Sequence, residues 1–177
     1  MFGRSTTVDA VQVFVIVIAL IACVTDLRSQ RIPNVLTFGS ALAAVVFHSV
    51  MGSWDGLFLS ASGWAVGVAV FLLPFALGGM GAGDVKLVAA LGAWLGPMDA
   101  LWLGMYSAVA GGAAAVVLAV ARGYLRQALS NIYLLLMHWR ITGIRPLHEV
   151  SLAGSQGPRL AYAVPVFGGL VATLWLR

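Results

Sequence analysis

The chain has 177 residues, 61% of them hydrophobic and only 9% charged, with a mean hydropathy of +0.98 and a formal net charge of +4. Soluble domains carry about 25% charged residues, so an ordinary soluble domain, a disordered chain and a nucleic-acid-binding module are all excluded. Apolar runs near 20 residues recur, each long enough to cross a hydrocarbon core of roughly 30 Å. Six such spans would occupy about 120 residues and leave no room for a separate water-soluble domain. Residues 1–177 are therefore expected to form a single all-α, polytopic membrane domain. That bounds its role to transporter, channel, intramembrane enzyme or membrane scaffold.

The first span is predicted at about Val8 to Thr25. Arg4 ahead of this apolar run, and Leu20-Ile21-Ala22-Cys23 within it, loosely resemble a lipoprotein leader. Asp9 interrupts the charge pattern of a signal sequence, so the run reads as a retained helix. A polar stretch from Asp26 to Arg31 follows. Pro33 then opens the second span, about 33–51, in a first helical turn where its missing N–H costs nothing. A turn at Gly52 to Gly56 leads into the third span, about Leu57 to Leu77. Gly78-Gly79-Met80-Gly81-Ala82-Gly83 is a glycine-rich break closed by Asp84. A short fourth span, about Val85 to Leu95, and a fifth, about Ala100 to Ala121, come next. From Arg122 to Arg159 the chain leans polar. There Leu125, Leu129, Ile132, Leu136 and Trp139 recur at three- and four-residue spacing, the pattern of an amphipathic helix lying in the interface. Loop is expected from about Thr142 to Pro158. The sixth span is about Leu160 to Leu176, with Pro165 and Gly168-Gly169 inside it.

With six spans, alternate loops share a side. Arg28, Arg31, Lys86, Arg122, Arg126, Arg140, Arg145 and Arg159 fall on one side, leaving only Arg4 and Arg177 on the other. Basic residues mark cytoplasmic loops. The first group is thus expected in the cytoplasm and both termini outside. Of the acids, Asp26, Asp84 and Glu149 share the basic side, whereas Asp9, Asp55 and Asp99 lie opposite. Only Asp26 and Asp84 are both same-sided and at the edge of an apolar span.

Two carboxylates brought within a few ångströms cannot both ionise cheaply, so the pair shares a proton. The ionised member can deprotonate a water while the protonated one polarises a carbonyl. That chemistry requires neither metal nor cofactor, and none is expected. The lone Cys23 cannot build a disulfide or a cysteine zinc site and reads as a small apolar side chain. His48, His138 and His148 lack metal-ligand spacing and read as interfacial or loop residues. Gly81 and Gly83 permit positive φ and close backbone approach before Asp84. Irregular backbone at membrane depth implies surrounding protein or a hydrated cavity. Lys86 reads as a positive-side anchor rather than a catalytic group.

Asp26-Leu27-Arg28 with Arg31-Ile32-Pro33-Asn34, and Gly81-Ala82-Gly83-Asp84-Val85-Lys86-Leu87, together resemble two motifs of the prepilin peptidases, or type IV leader peptidases. These are membrane aspartic proteases of the GxGD type. Val164-Pro165-Val166-Phe167-Gly168-Gly169 is similar to a third run, with different spacing and without its second proline. The resemblance implies an endopeptidase of the bacterial cytoplasmic membrane with Asp26 and Asp84 as the catalytic pair. Gly81, Gly83, Lys86, Pro33 and Asn34 would shape the site. The implied substrate is a prepilin or pseudopilin: a short basic leader, a glycine before the cut, then an apolar helix. The implied surroundings are membrane lipid, and no nucleic acid is expected as a partner. Long members of the family carry a zinc-binding CxxC insert between the first two spans, associated with N-methylation. Here that loop is short and no second cysteine exists, which resembles the peptidase-only form. Two other readings remain open. One is a small transporter, since broken helices and intramembrane acids also mark transporters. The other is a non-catalytic subunit of a pilus or secretion assembly.

Overall fold

The computed structural model describes residues 3–77, 79–142 and 161–177. Among them the helices run in order α1 (Gly3–Ser29), α2 (Asn34–Ala76), α3 (Ala82–Leu95), α4 (Pro97–Ala121), α5 (Leu125–Thr142) and α6 (Ala163–Leu176), with no strand. The segments Ala10–Ser29, Asn34–Ala76 and Pro97–Ala121 are long and apolar enough to cross a membrane, and α6 is a shorter apolar helix. The architecture is an all-α membrane bundle.

α2 contains two of the expected spans. Its 43 residues would reach about 65 Å if straight, roughly twice a bilayer core. The helix breaks at Ser53, where φ 51 and ψ −129 leave helical geometry. Gly56 then packs so tightly on the His48 carbonyl that a Cβ would collide with it. In a straight helix these positions would stand about 12 Å apart. The chain therefore turns back at Ser53, giving a first limb (34–52) and a second limb (54–76).

Both limbs flank α3. Along the first limb, the Lys86 ammonium donates to Asn34 Oδ1 (3.0 Å) and the Trp94 indole N–H donates to the carbonyl and hydroxyl of Ser40, both at 3.1 Å. Along the second limb the contacts run the other way: Gly67 meets Ala89 and Gly63 meets Gly92, backbone to backbone. Lipid gives helices no hydrophobic reason to associate, so small residues that admit close backbone approach carry such interfaces. α3 is only 14 residues long, and every residue from Leu87 to Trp94 is buried.

α6 lies antiparallel to α4. The Tyr162 hydroxyl donates to the Ser107 carbonyl (3.2 Å), and at the other end Arg177 Nε pairs with Asp99 Oδ1 (3.3 Å). One end of the bundle thus gathers the last turn of α1 and the starts of α2, α3 and α6. The other gathers His48, Trp94, Asp99 and Arg177.

Several expected boundaries move. α1 continues past Thr25, so Asp26, Leu27 and Arg28 form its last turn rather than a polar loop; the Gln30 N–H still bonds the Asp26 carbonyl at 2.8 Å. Pro33 sits at the N-cap of α2, extended at ψ 133, not within the first helical turn; its carbonyl accepts from the Leu36 and Thr37 N–H groups. Pro165 falls in the first turn of α6, where a missing N–H removes no intrahelical bond. α5 occupies the amphipathic stretch. The expected loop beyond it, with Arg145, His148, Glu149 and Arg159, lies outside the described residues, as does Leu160.

Candidate active site

Asp26 ends α1 and Asp84 opens α3, so the two carboxylates approach from opposite helix termini. Asp26 is buried, with 7% of its surface exposed, and Asp84 is half-buried. Both stand at one end of the bundle: Asp26 closes α1, and Gly83, beside Asp84, packs on Ile32 in the connection that follows α1. Their backbone settings differ. The N-terminal dipole of α3 favours a negative Asp84, whereas the C-terminal dipole of α1 opposes a negative Asp26. The opposition is met by α6: the backbone N–H of Ala163, its first residue, donates to Asp26 Oδ2 at 3.1 Å. A helix N-terminus aimed at a carboxylate supplies both a donor and a favourable dipole.

The glycines before Asp84 act through space rather than through φ. Gly81, the N-cap of α3, has φ −77 and ψ 146, and Gly83 is already helical, so neither uses the left-handed region expected of them. A Cβ on Gly81 would stand 3.1 Å from Asp84 Oδ2, and one on Gly83 would stand 3.4 Å from Ile32 Cβ. Gly81 leaves room for the carboxylate, and its N–H faces that group as a donor. Gly83 lets α3 lie on the connection between α1 and α2.

Lys86 and Asn34 come together, but beside the pair rather than in it. The ammonium binds Asn34 Oδ1 and lies 5.2 Å from the centre of the Phe38 ring. Two residues apart on a helix, Lys86 and Asp84 face nearly opposite ways. Pro33 sets the extended entry that places Asn34 at the start of α2. A cavity of about 290 Å³ lined by Phe38, Val68, Leu72, Phe75, Val85 and Lys86 shares that face. It therefore opens on the far side of α3 from Asp84.

The start of α6 is absent from the sequence-based picture. Cys23, one turn before Asp26, donates its thiol to the Ala163 carbonyl at 3.1 Å. The Tyr162 ring stands edge-on to Phe71, 5.9 Å between centroids, within reach of the Asp84 charge. No residue-type signal announces a main-chain N–H, and only the folded bundle brings it to Asp26. His48 is half-buried, with Nε2 3.1 Å from the Trp94 carbonyl. Among the described residues no three His, Cys, Asp or Glu side chains converge on a metal-sized site.

A family model described as the type IV leader peptidase family matches residues 13–116, a stretch that includes both aspartates. Among curated proteins, a "Prepilin leader peptidase/N-methyltransferase" of Neisseria gonorrhoeae is 34% identical over 108 residues, covering 55% of this chain and 36% of that protein. The chain thus spans about a third of that relative's length. No solved structure gave a significant match.

Proposed function

This chain belongs to the type IV leader peptidase family, and we propose that it is a membrane-embedded aspartic endopeptidase that cleaves the leader from type IV or Flp-like prepilins. The observation that carries the proposal is that Asp26, in the last turns of α1, and Asp84, in the first turn of α3, stand at the same end of the bundle. Both residues stand within family-like motifs.

In this reading the pair holds one proton between its two carboxylates. The ionised carboxylate takes a proton from water, and the water oxygen attacks the scissile carbonyl carbon. The protonated carboxyl donates a hydrogen bond to the carbonyl oxygen, where negative charge develops. Collapse of the tetrahedral intermediate breaks the C–N bond, and the leaving amine takes the proton. The substrate's apolar helix lies among the spans while its basic leader stays in the cytoplasm, so the Asp26–Asp84 end faces inward. That orientation agrees with the bias of arginine and lysine towards the same end. α5 lies along the inner interface, and residues 1–177 act as one peptidase domain.

α1 and α2 are joined by residues 30–33 alone, and Cys23 is the single cysteine. A cysteine-ligated zinc insert has no place in that connection, so this chain cleaves without methylating the new amine.

Co-expression with a prepilin encoded nearby tests the proposal by a size shift on a gel. Cleavage by the parent, and none by membrane-inserted Asp26→Asn or Asp84→Asn, is the expected result. Equal cleavage by either variant would refute the paired-aspartate chemistry.

A further inference from the structure

Four contacts fix the start of α6 against the rest of the bundle. The Tyr162 hydroxyl bonds the Ser107 carbonyl on α4 (3.2 Å), and Gly111 on the same helix is so close that any Cβ would strike the Tyr162 ring. The Cys23 thiol bonds the Ala163 carbonyl (3.1 Å), and the Ala163 N–H bonds Asp26 Oδ2 (3.1 Å). About two turns along, Gly169 packs directly on Ser107. The peptide group between Tyr162 and Ala163 is therefore held on one side by α4 and presented on the other to Asp26. A charge-assisted bond from a fixed main-chain donor selects one orientation of a carboxylate.

We infer that Tyr162 is a positioning residue: by anchoring the first turn of α6 to α4 it holds the Ala163 N–H on Asp26 and so aims that carboxylate for the reaction with Asp84. The inference rests on the paired-aspartate reading above. It makes α6, which lies beyond the family-matched residues 13–116, an integral wall of the site. Tyr162 itself touches neither water nor substrate in this scheme.

Loosening the anchor should misdirect Asp26 without changing what holds the substrate. The titratable groups whose charges couple at this point are Asp84 from α3, Cys23 from α1 and Tyr162 from α6. None of them is added or removed by Ala163→Pro. That change deletes the N–H at the first helical position, and it also presses on Tyr162, whose φ −70 and ψ −16 a following proline disfavours.

The test compares purified parent, Tyr162→Phe, Ala163→Pro and Asp26→Asn in nanodiscs on one prepilin, recording kcat, KM, the pH–rate profile and Tm. Tyr162→Phe keeps the ring and its packing, so it carries the test even if Ala163→Pro lowers Tm. Expected are a fall in kcat of about fivefold for Tyr162→Phe and about 10- to 100-fold for Ala163→Pro. In both, KM should hold. An inactive Asp26→Asn beside a Tyr162→Phe with parental kcat would overturn the positioning role and leave the pair intact. An active Asp26→Asn would instead overturn the pair itself.

Discussion

At one end of α3, Trp94 gives its N–H to the Ser40 carbonyl and hydroxyl, its own carbonyl meets His48, and its ring packs against Phe14 and Phe47 at 4.6 and 5.5 Å. Each polar group of that residue finds a partner and the backbone of the second limb closes over Gly92. At the other end stand Asp26 and Asp84, and the start of α3 carries glycine where a side chain would crowd the Asp84 carboxyl. The first end is arranged for cohesion. The second places two acidic side chains at a partly buried helix junction at a cost in stability, and proteins accept such costs where chemistry needs them. The bundle can bear this because α3 is clamped along most of its length by small-residue contacts far from the aspartates.

Substitutions at the two ends should therefore separate activity from stability. The largest effect belongs to Asp84→Asn, which should lower prepilin cleavage by at least about 10³-fold. Its Tm should hold or rise, because a half-buried ionisable group is replaced by a neutral one of the same shape. A large loss of Tm would mean that the carboxylate serves the fold instead. Next comes Gly63→Ala at the cohesive end. Its Cβ would run into the Gly92 carbonyl, costing about 1–3 kcal/mol, visible as a lower Tm in detergent with near-parental kcat in the surviving fraction. A third comparison uses Gly81→Ala, which crowds Asp84 Oδ2. It should reduce kcat about tenfold with little change in Tm, the opposite signature from Gly63→Ala. The smallest effect is expected for Lys86→Met, which removes the bond to Asn34 and should lower stability by about 1 kcal/mol or less. A collapse of kcat in that variant would move Lys86 from the scaffold into the chemistry.

Hydropathy and charge parity made much of this legible from residues alone. The apolar runs mark the helices, and the turn at Gly52 to Gly56 contains the Ser53 break that divides α2. Asp26 and Asp84 could be paired because alternate loops share a side, a rule that needs no three-dimensional information. What sequence missed has a common cause. Of the two readings open for Gly81, positive φ and close approach, the fold uses the second, and residue type could not choose because it reports permissiveness, not neighbours. The extent of α1 was underestimated because Asp26 and Arg28 look like loop residues, although a polar last turn still satisfies helix geometry. The Ala163 N–H was invisible because main-chain donors are common to nearly all residues. Tyr162 gave no sign for the same reason: its hydroxyl acts on a carbonyl of α4, far away in sequence.

The central claim is that Asp26 and Asp84 work as one unit, and a double-mutant cycle on cleavage tests it most directly. Parent, Asp26→Asn, Asp84→Asn and the double variant would be assayed on one purified prepilin, with equal membrane insertion verified. The account predicts that each single change drops the rate to the same floor and that the double variant falls no further, the grossly non-additive behaviour of groups sharing one step. Two partial losses that multiply in the double variant would mean that the carboxylates act independently, and the pair would have to be abandoned.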